Sequence, residues 1–290
     1  MMLLKLAFIT CCFIYNVIAG SSAFYGLNYG VSKDACPSFD TVKRDFRILS
    51  QYTNTVRVYS LKDCGIGQLA LKASQEAKMK IYLGIWIDKT DSFEQEYEAL
   101  KRLAVSNSFY NVEAIIVGSE VMYREDMTAD ELAQRINKVK DLVGPKGVKV
   151  TTSEVYYKFY PEVVDSVDFL MMNAFIYWEG EHIDSAVDKL KEHFLSVKSI
   201  SNGKVVRISE TGWPDQGDQF EDSIPLPENQ KNFMMKTLCM TRTLGIDMIW
   251  FSAIDELYKP GVEGHFGLLD SNRKLKSFYQ FDNLINPCMA

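Results

Sequence analysis

The sequence predicts an α/β fold, a single (β/α)8 TIM barrel, on three observations. Eight short apolar runs recur at about the spacing of a strand–helix unit, segments of helical period lie between them, and no linker, repeat or low-complexity stretch breaks the alternation. A chain of 290 residues, 47% hydrophobic and 24% charged, has ordinary globular composition. Two average domains would fit that length, but barrels routinely use about 250 residues as one unit.

The first four runs are Phe24–Gly30, Thr55–Ser60, Lys80–Ile87 and Ala114–Ser119; the next four are Val148–Ser153, Asp168–Phe175, Lys204–Ser209 and Asp247–Ala253. Each is rich in β-branched or aromatic residues and nearly continuous in apolar character, as strands buried on both faces are. Helical period marks Phe39–Gln51, Ser92–Ser106, Ala129–Val143, Ile183–Ser199 and Pro227–Leu244. An open doubly wound sheet would place a glycine-rich phosphate loop after its first strand. The nearest candidate, Gly65-Ile-Gly67, follows the second run and lacks the third glycine.

Residues 1–19 read as a secretory signal peptide: a lone Lys5, an apolar run, and a small-residue exit at Ala19-Gly20. A membrane span would need about 18 or more apolar residues. The expected organisation is therefore a signal peptide at 1–19 and a catalytic barrel domain at 20–290, secreted to the extracellular space or cell wall. Cleavage removes Cys11 and Cys12 and leaves Cys36, Cys64, Cys239 and Cys288, an even set in an oxidising compartment. Two disulfides are expected, and four cysteines allow three pairings.

The formal charge of −6 has no basic stripe, which argues against nucleic acid as a partner. The tail Asn286–Ala290 is no lipid-anchor signal, so no membrane association is expected after signal cleavage, and no Asn-x-Ser/Thr sequon occurs. Nothing in the sequence specifies an oligomeric state. His182, His193 and His265 show no ligand spacing, so no metal and no cofactor are expected.

In barrels of this kind the working residues sit at the carboxyl ends of the strands. The fourth run ends Gly118-Ser119-Glu120 and the seventh ends Ser209-Glu210-Thr211. One such Glu is an ordinary rim charge. Two, on strands that face each other across the barrel mouth, can approach to the roughly 5 to 5.5 Å used by retaining glycosidases. Such a pair needs one protonated acid and one ionised nucleophile, and position alone does not say which is which.

Val117-Gly-Ser-Glu-Val-Met-Tyr-Arg124 and Ile208-Ser-Glu-Thr-Gly-Trp-Pro214 resemble the two signatures of glycoside hydrolase family 17, in its fungal cell-wall branch. The likeness continues through Tyr25–Gly30, Thr55–Ser60 with Asp63-Cys64, Asn173–Trp178, Phe251–Glu256 and His265–Leu268. It implies a (β/α)8 fold and a retaining mechanism on β-1,3-glucan or laminari-oligosaccharides, with Glu120 as acid/base and Glu210 as nucleophile. It also implies the pairings Cys36–Cys64 and Cys239–Cys288. Hydrolysis and glucanosyl transfer share the glycosyl-enzyme intermediate, and the wall-branch likeness implies appreciable transfer. A catalytically weak β-glucan-binding wall protein is the alternative.

One departure lies at Ser119, where many relatives carry the Asn that bonds the sugar 2-hydroxyl; fungal wall-branch members use Ser. That duty passes to the hydroxyl through water or to Asn173. Tyr29, Tyr59, Tyr123, Phe175, Tyr177, Trp178 and Trp213 lie at or just after the strand ends, where aromatic planes can hold sugar rings. Trp86 and Trp250 fit a site or the core equally. Arg57 is a charge inside a buried run and needs a partner, for which Glu210 is the choice. Glu256 and Lys259, with Glu263, resemble a polar cluster that the family keeps near its carboxylate pair, and are expected to contact substrate.

Overall fold

The computed structural model describes residues 22–289; the signal-peptide reading of 1–19 lies outside them. The first half of the chain runs β1 (Gly26–Asn28), α1 (Phe39–Leu49), β2 (Thr55–Val58), α2 (Ile66–Glu76), β3 (Lys80–Ile85), α3 (Ser92–Ser106), β4 (Val112–Ser119) and α4 (Ala129–Val143). The second half runs β5 (Lys149–Val155), α5 (Pro161–Ser166), β6 (Leu170–Asn173), α6 (Ala186–Ser199), β7 (Val206–Thr211), α7 (Pro227–Leu244), β8 (Met248–Trp250) and α8 (Phe281–Ile285). All neighbouring strands pair in parallel, and β1 pairs with β8 to close the barrel.

Local chemistry starts and stops these elements. Ser38 caps α1 by accepting from the Thr41 amide, and Thr128 with Glu131 forms a reciprocal capping box on α4. Pro161 and Pro227 open α5 and α7, where a missing amide costs nothing. Gly245 ends α7 at φ 66, a left-handed position that suits glycine.

Three helices, α2, α5 and α8, have no counterpart among the helical segments read from sequence. The Gly65-Ile-Gly67 stretch opens α2 instead of a phosphate loop. Gly65 is left-handed at φ 62, and a Cβ on Gly67 would come 2.9 Å from the Leu61 Cα. The strands are shorter than several apolar runs, because only a few residues of β1 and β8 join the closed ladder while their flanks pack as loops. In contrast, β5 and β7 run two residues past the apolar stretches, to Val155 and Thr211.

The main core lies between the barrel and its helices. A second cluster, Tyr82, Ala114, Ile116, Phe169, Met171 and Ile249, fills the lumen. There Arg207 lies 4.5 Å over the Phe169 ring and bonds Asp247 at 3.0 Å and the Tyr82 hydroxyl at 2.5 Å. The barrel is therefore a packed body, and in this fold the carboxyl-end face is where working residues gather.

Ladder irregularities concentrate at that face. Register shifts fall between Ile116 and Ser119 on β4, between Met172 and Asn173 on β6, and between Ile208 and Thr211 on β7. Strict alternation would send Ser209 and Glu210 to opposite faces; a shift of this kind re-aims a side chain. Of the three possible disulfide pairings, Cys36–Cys64 ties the loops after β1 and β2, and Cys239–Cys288 ties α7 to the carboxyl-terminal segment. Among the described residues no helix is long and apolar enough to cross a membrane.

The second bridge closes a sequence separation of 49. Replacing both Cys239 and Cys288 by Ser is expected to lower the unfolding free energy by about 2–4 kcal/mol in nonreducing urea titrations. An unchanged midpoint would mean that the segment is held by packing alone.

Candidate active site

The carboxyl ends of the strands open into a cleft of about 1090 Å³, and the two strand-end glutamates face into it. Gly118 at φ 77 and Glu120 at φ 58 turn the chain sharply as it leaves β4. A Cβ on Gly118 would meet Val121 at 2.4 Å, so the turn requires glycine there. The Glu120 amide is held by the Ser153 carbonyl at 2.8 Å. Glu210 is carried inside β7 rather than beyond its end, opposite Asn173 of β6.

Asn173 joins the two carboxylates. Its Nδ2 donates to Glu120 Oε1 at 2.9 Å and to Glu210 Oε1 at 3.1 Å. Its Oδ1 accepts from Ser153 at 2.7 Å and Ser209 at 2.6 Å, which orients the amide. Because both acceptors share one nitrogen, the two Oε1 atoms lie no farther apart than about 6 Å.

Glu210 Oε1 has two further partners. Arg57 Nη1 lies 2.9 Å away, and the Ser119 hydroxyl donates at 3.2 Å while accepting from Arg57 Nη2 at 3.1 Å. None of these three contacts reaches Oε2. The Arg57 guanidinium lies 4.6 Å over the Tyr59 ring. Burial, followed by the charge of Glu210, pushes the Tyr59 hydroxyl well above its ordinary range, so it stays protonated. Burial also raises Glu120, and the neighbouring Glu210 charge raises it further; Asn173, Arg124 and Arg57 act in the opposite direction.

Tyr29, Tyr59, Ser119, Tyr123, Asn173, Phe175, Trp178, Glu256 and Lys259 all line the cleft with Glu120 and Glu210. The Tyr29 hydroxyl is turned away to Asp45 at 2.9 Å. Lys259 pairs with Glu256 at 2.5 Å, and the Tyr258 hydroxyl donates to Glu256 at 3.1 Å. Gly30 is required beside them, since a Cβ would fall 1.6 Å from Glu256 Oε1.

Three expected substrate contacts are corrected. Tyr177 and Trp213 are fully buried and outside the cleft, with polar atoms spent on the carbonyls of Asp218 and Ile224. Both pack against one another edge-on at 5.4 Å, because the chain turns inward after β6 and β7 instead of leaving their rings at the mouth. Arg57 is 1% exposed and meets Glu210, leaving no surface for a sugar.

Trp250 is core, whereas Trp86 lines the cleft beneath Arg124, whose guanidinium lies 4.7 Å over its ring. Arg124 also bonds the carbonyls of Ser119 at 2.8 Å and Ile87 at 2.9 Å, bracing the end of β4. Arg124, which closes the first signature, and Tyr156, Tyr157 and Glu179, which follow strand ends without periodic signal, line the cleft beyond the residues expected from sequence. Outside the cleft, Asp215, Asp255 and His265 converge, and the Lys276 ammonium contacts the two carboxylates at 2.8 and 2.9 Å.

Residues 26–267 match the BtgE/BtgC glycoside hydrolase domain. A glucan 1,3-beta-glucosidase of Candida albicans is 31% identical over 288 residues, covering 89% of this chain and 92% of its own. One from Schizosaccharomyces pombe is 33% identical over 259 residues, covering 83% and 81%. Among solved structures, a glycoside hydrolase family 17 beta-1,3-glucanosyltransferase from Rhizomucor miehei is 49% identical, with TM-score 0.88 over 89% of this chain and 97% of its own. An active-site mutant of that transferase, in complex with laminaritriose, gives TM-score 0.88 at 48% identity.

A second buried carboxyl lies behind Glu120. Glu154 of β5 is fully buried and accepts from the amides of Met122 and Val155, each at 2.8 Å. Burial pushes it up to about 7, and the Glu120 charge adds to the rise. The native state therefore holds this proton more tightly than the unfolded chain does. The resulting stability is whole below the unfolded value of about 4.3 and is lost as pH rises through about 7. Glu154→Gln is expected to remove roughly 3 kcal/mol from the difference in unfolding free energy between about pH 4 and pH 8. Urea titrations at the two pH values check this, and an undiminished difference would assign the slope to other groups.

Proposed function

The chain belongs to the BtgE/BtgC glycoside hydrolase domain family, within glycoside hydrolase family 17, and from that membership we propose that it cleaves β-1,3-glucan with retention, through a covalent glycosyl-enzyme, and transfers the glycosyl group to water or to another sugar. The observation that carries the proposal is the Asn173 amide bonded to both Glu120 and Glu210. An Oε1 separation of at most about 6 Å is compatible with the retaining spacing.

The two environments divide the roles. Glu210 has Arg57, Ser119 and Asn173 on Oε1, which supports a carboxylate held with Oε2 free to attack the anomeric carbon. Burial and the Glu210 charge favour the protonated form of Glu120, as a general acid needs. In the first step the C1–O bond to the leaving sugar breaks as C1 bonds Glu210, and the Glu120 proton passes to the leaving oxygen. In the second, Glu120 as carboxylate takes a proton from water or an acceptor hydroxyl, whose oxygen displaces Glu210 from C1.

The Ser119 hydroxyl is engaged between Arg57 and Glu210, and the Asn173 amide between the two carboxylates, so a sugar 2-hydroxyl reaches either one by exchanging with one of these bonds. Residues 1–19 as a leader and two disulfides support a secreted or wall-located enzyme working on wall glucan. The relatives' names support the substrate class.

Product analysis on laminari-oligosaccharides tests this reading directly. The parent is expected to release shorter oligosaccharides and also to make products longer than the donor. Glu210→Gln and Glu120→Gln should each lower turnover by roughly 10²-fold or more. An activated aryl laminarioside, whose leaving group needs no proton, should restore the glycosylation step in Glu120→Gln but not in Glu210→Gln. Absence of turnover in the parent, with Glu210→Gln still binding laminarin, would replace the enzyme by a glucan-binding protein.

A further inference from the structure

His193 lies on α6 in the outer ring of helices, is 7% exposed, and touches two residues of the cleft wall. Its ring stacks face to face on Tyr156, with centroids 3.5 Å apart and planes 10° apart. Its Nε2 meets both oxygens of Glu179, at 3.0 and 2.8 Å. Tyr156 and Glu179 line the cleft from the loops after β5 and β6. Tyr156 meets Tyr157 edge-on at 4.9 Å, and Tyr157 meets Tyr123 edge-on at 6.4 Å. Tyr157 and Tyr123 are 57% and 51% exposed, so this row presents ring surface to solvent while its inner end rests on His193.

The row adjoins the acid/base. Tyr123 follows Glu120 by three residues, on the turn whose Arg124 amide bonds the Glu120 carbonyl at 3.0 Å. A group that protonates the leaving oxygen must lie against the part of the substrate that leaves, and the same ground then receives an acceptor. Aromatic planes suit the C–H faces of sugar rings there, and a carboxylate such as Glu179 suits their hydroxyls. Both elements sit on loops, where a free side chain would have to be ordered on binding.

We propose that His193 is a positioning residue for the leaving-group and acceptor side of the cleft. By holding Glu179 through Nε2 and Tyr156 through its ring, it presets two different walls against which the departing or incoming β-1,3-linked oligosaccharide binds. It thereby sets how well an acceptor sugar competes with water. This rests on the glycosidase reading above.

Two substitutions separate its two contacts: His193→Phe keeps a ring on Tyr156 but frees Glu179, and His193→Gln keeps a donor for Glu179 but loses the stack. Each is compared with the parent on a laminari-oligosaccharide long enough to lie along the wall, and on an aryl laminarioside whose leaving group is one ring. With either variant, kcat/KM for the long substrate is expected to fall about fivefold or more, chiefly through KM, and the ratio of transfer to hydrolysis to fall with it. Loss on the aryl substrate should be smaller, and thermal unfolding should show that both variants are folded.

Equal losses on the two substrates, or a long-substrate KM and transfer ratio within about twofold of the parent, would overturn the proposal and leave His193 a packing residue. A parent that turns over neither substrate would sink the glycosidase reading itself. Calorimetric titration with laminaritetraose then still judges the wall, with weaker binding by the variants supporting the role of His193 and equal binding refuting it.

Discussion

Arg57 and Glu210 form an ion pair in the barrel mouth, 2.9 Å apart, with side chains 1% and 8% exposed. Arg57 is withdrawn from bulk water and Glu210 keeps only its cleft-facing edge, and breaking a buried pair from one side costs about 3–5 kcal/mol. The surrounding residues satisfy most of what the pair leaves over. Ser119 bridges the guanidinium and the carboxylate, the Ser209 carbonyl takes another Arg57 hydrogen at 3.2 Å, and Asn173 completes the ring around Glu210 Oε1. A network this dense restrains its members to one geometry, although Arg57 Nε and the neighbouring Tyr59 hydroxyl find no hydrogen-bond partner among the described residues.

The same network accounts for three of the barrel's irregularities; a fourth, between Ile81 and Tyr82, lies at the amino end of β3, away from it. Arg57, Ser119, Asn173 and Glu210 come from β2, β4, β6 and β7, and the register shifts fall near the ends of the last three. A regular ladder alternates faces and cannot aim consecutive residues at one point, whereas a local shift can. Below them the lumen cluster and Arg207 fill the barrel.

Around the carboxylate pair the cleft is asymmetric. Glu256, Lys259 and Tyr258 form a compact polar group near β8 and β1, placed by the lack of a side chain at Gly30. On the β4 to β6 side the lining is aromatic, with Tyr123, Tyr156, Tyr157 and Trp178, and it is supported from the outer helices through His193. Phe251 and Phe266 on the first side and Arg124 and Glu179 on the second mean that groups that orient hydroxyls and planes that accept ring faces flank the pair on both sides, which suits a chain of sugars crossing it.

Much of this was legible in the amino-acid order. Buried parallel strands read as continuous apolar runs, so the barrel and the strand-end positions of Glu120 and Glu210 followed from local composition, and the partner of Arg57 from the need to neutralise a charge in such a run. Helices α2, α5 and α8 escaped because two are a few residues long and the third opens on glycines. Tyr177 and Trp213 were misplaced because proximity to a strand end does not say whether a ring turns into the core or the mouth. Tyr156 and Glu179 carry no periodic signal, and His193 lies on the buried face of a helix read from its period without any sign of what it would touch; the three meet only when β5, β6 and α6 are packed together. What the sequence by itself determined was therefore whatever depends on neighbours along the chain: the alternation of elements and the chemistry available at their ends. Which side chains converge, and at what distance, was left to the tertiary structure, because closure of the barrel and its register shifts act between residues far apart in sequence.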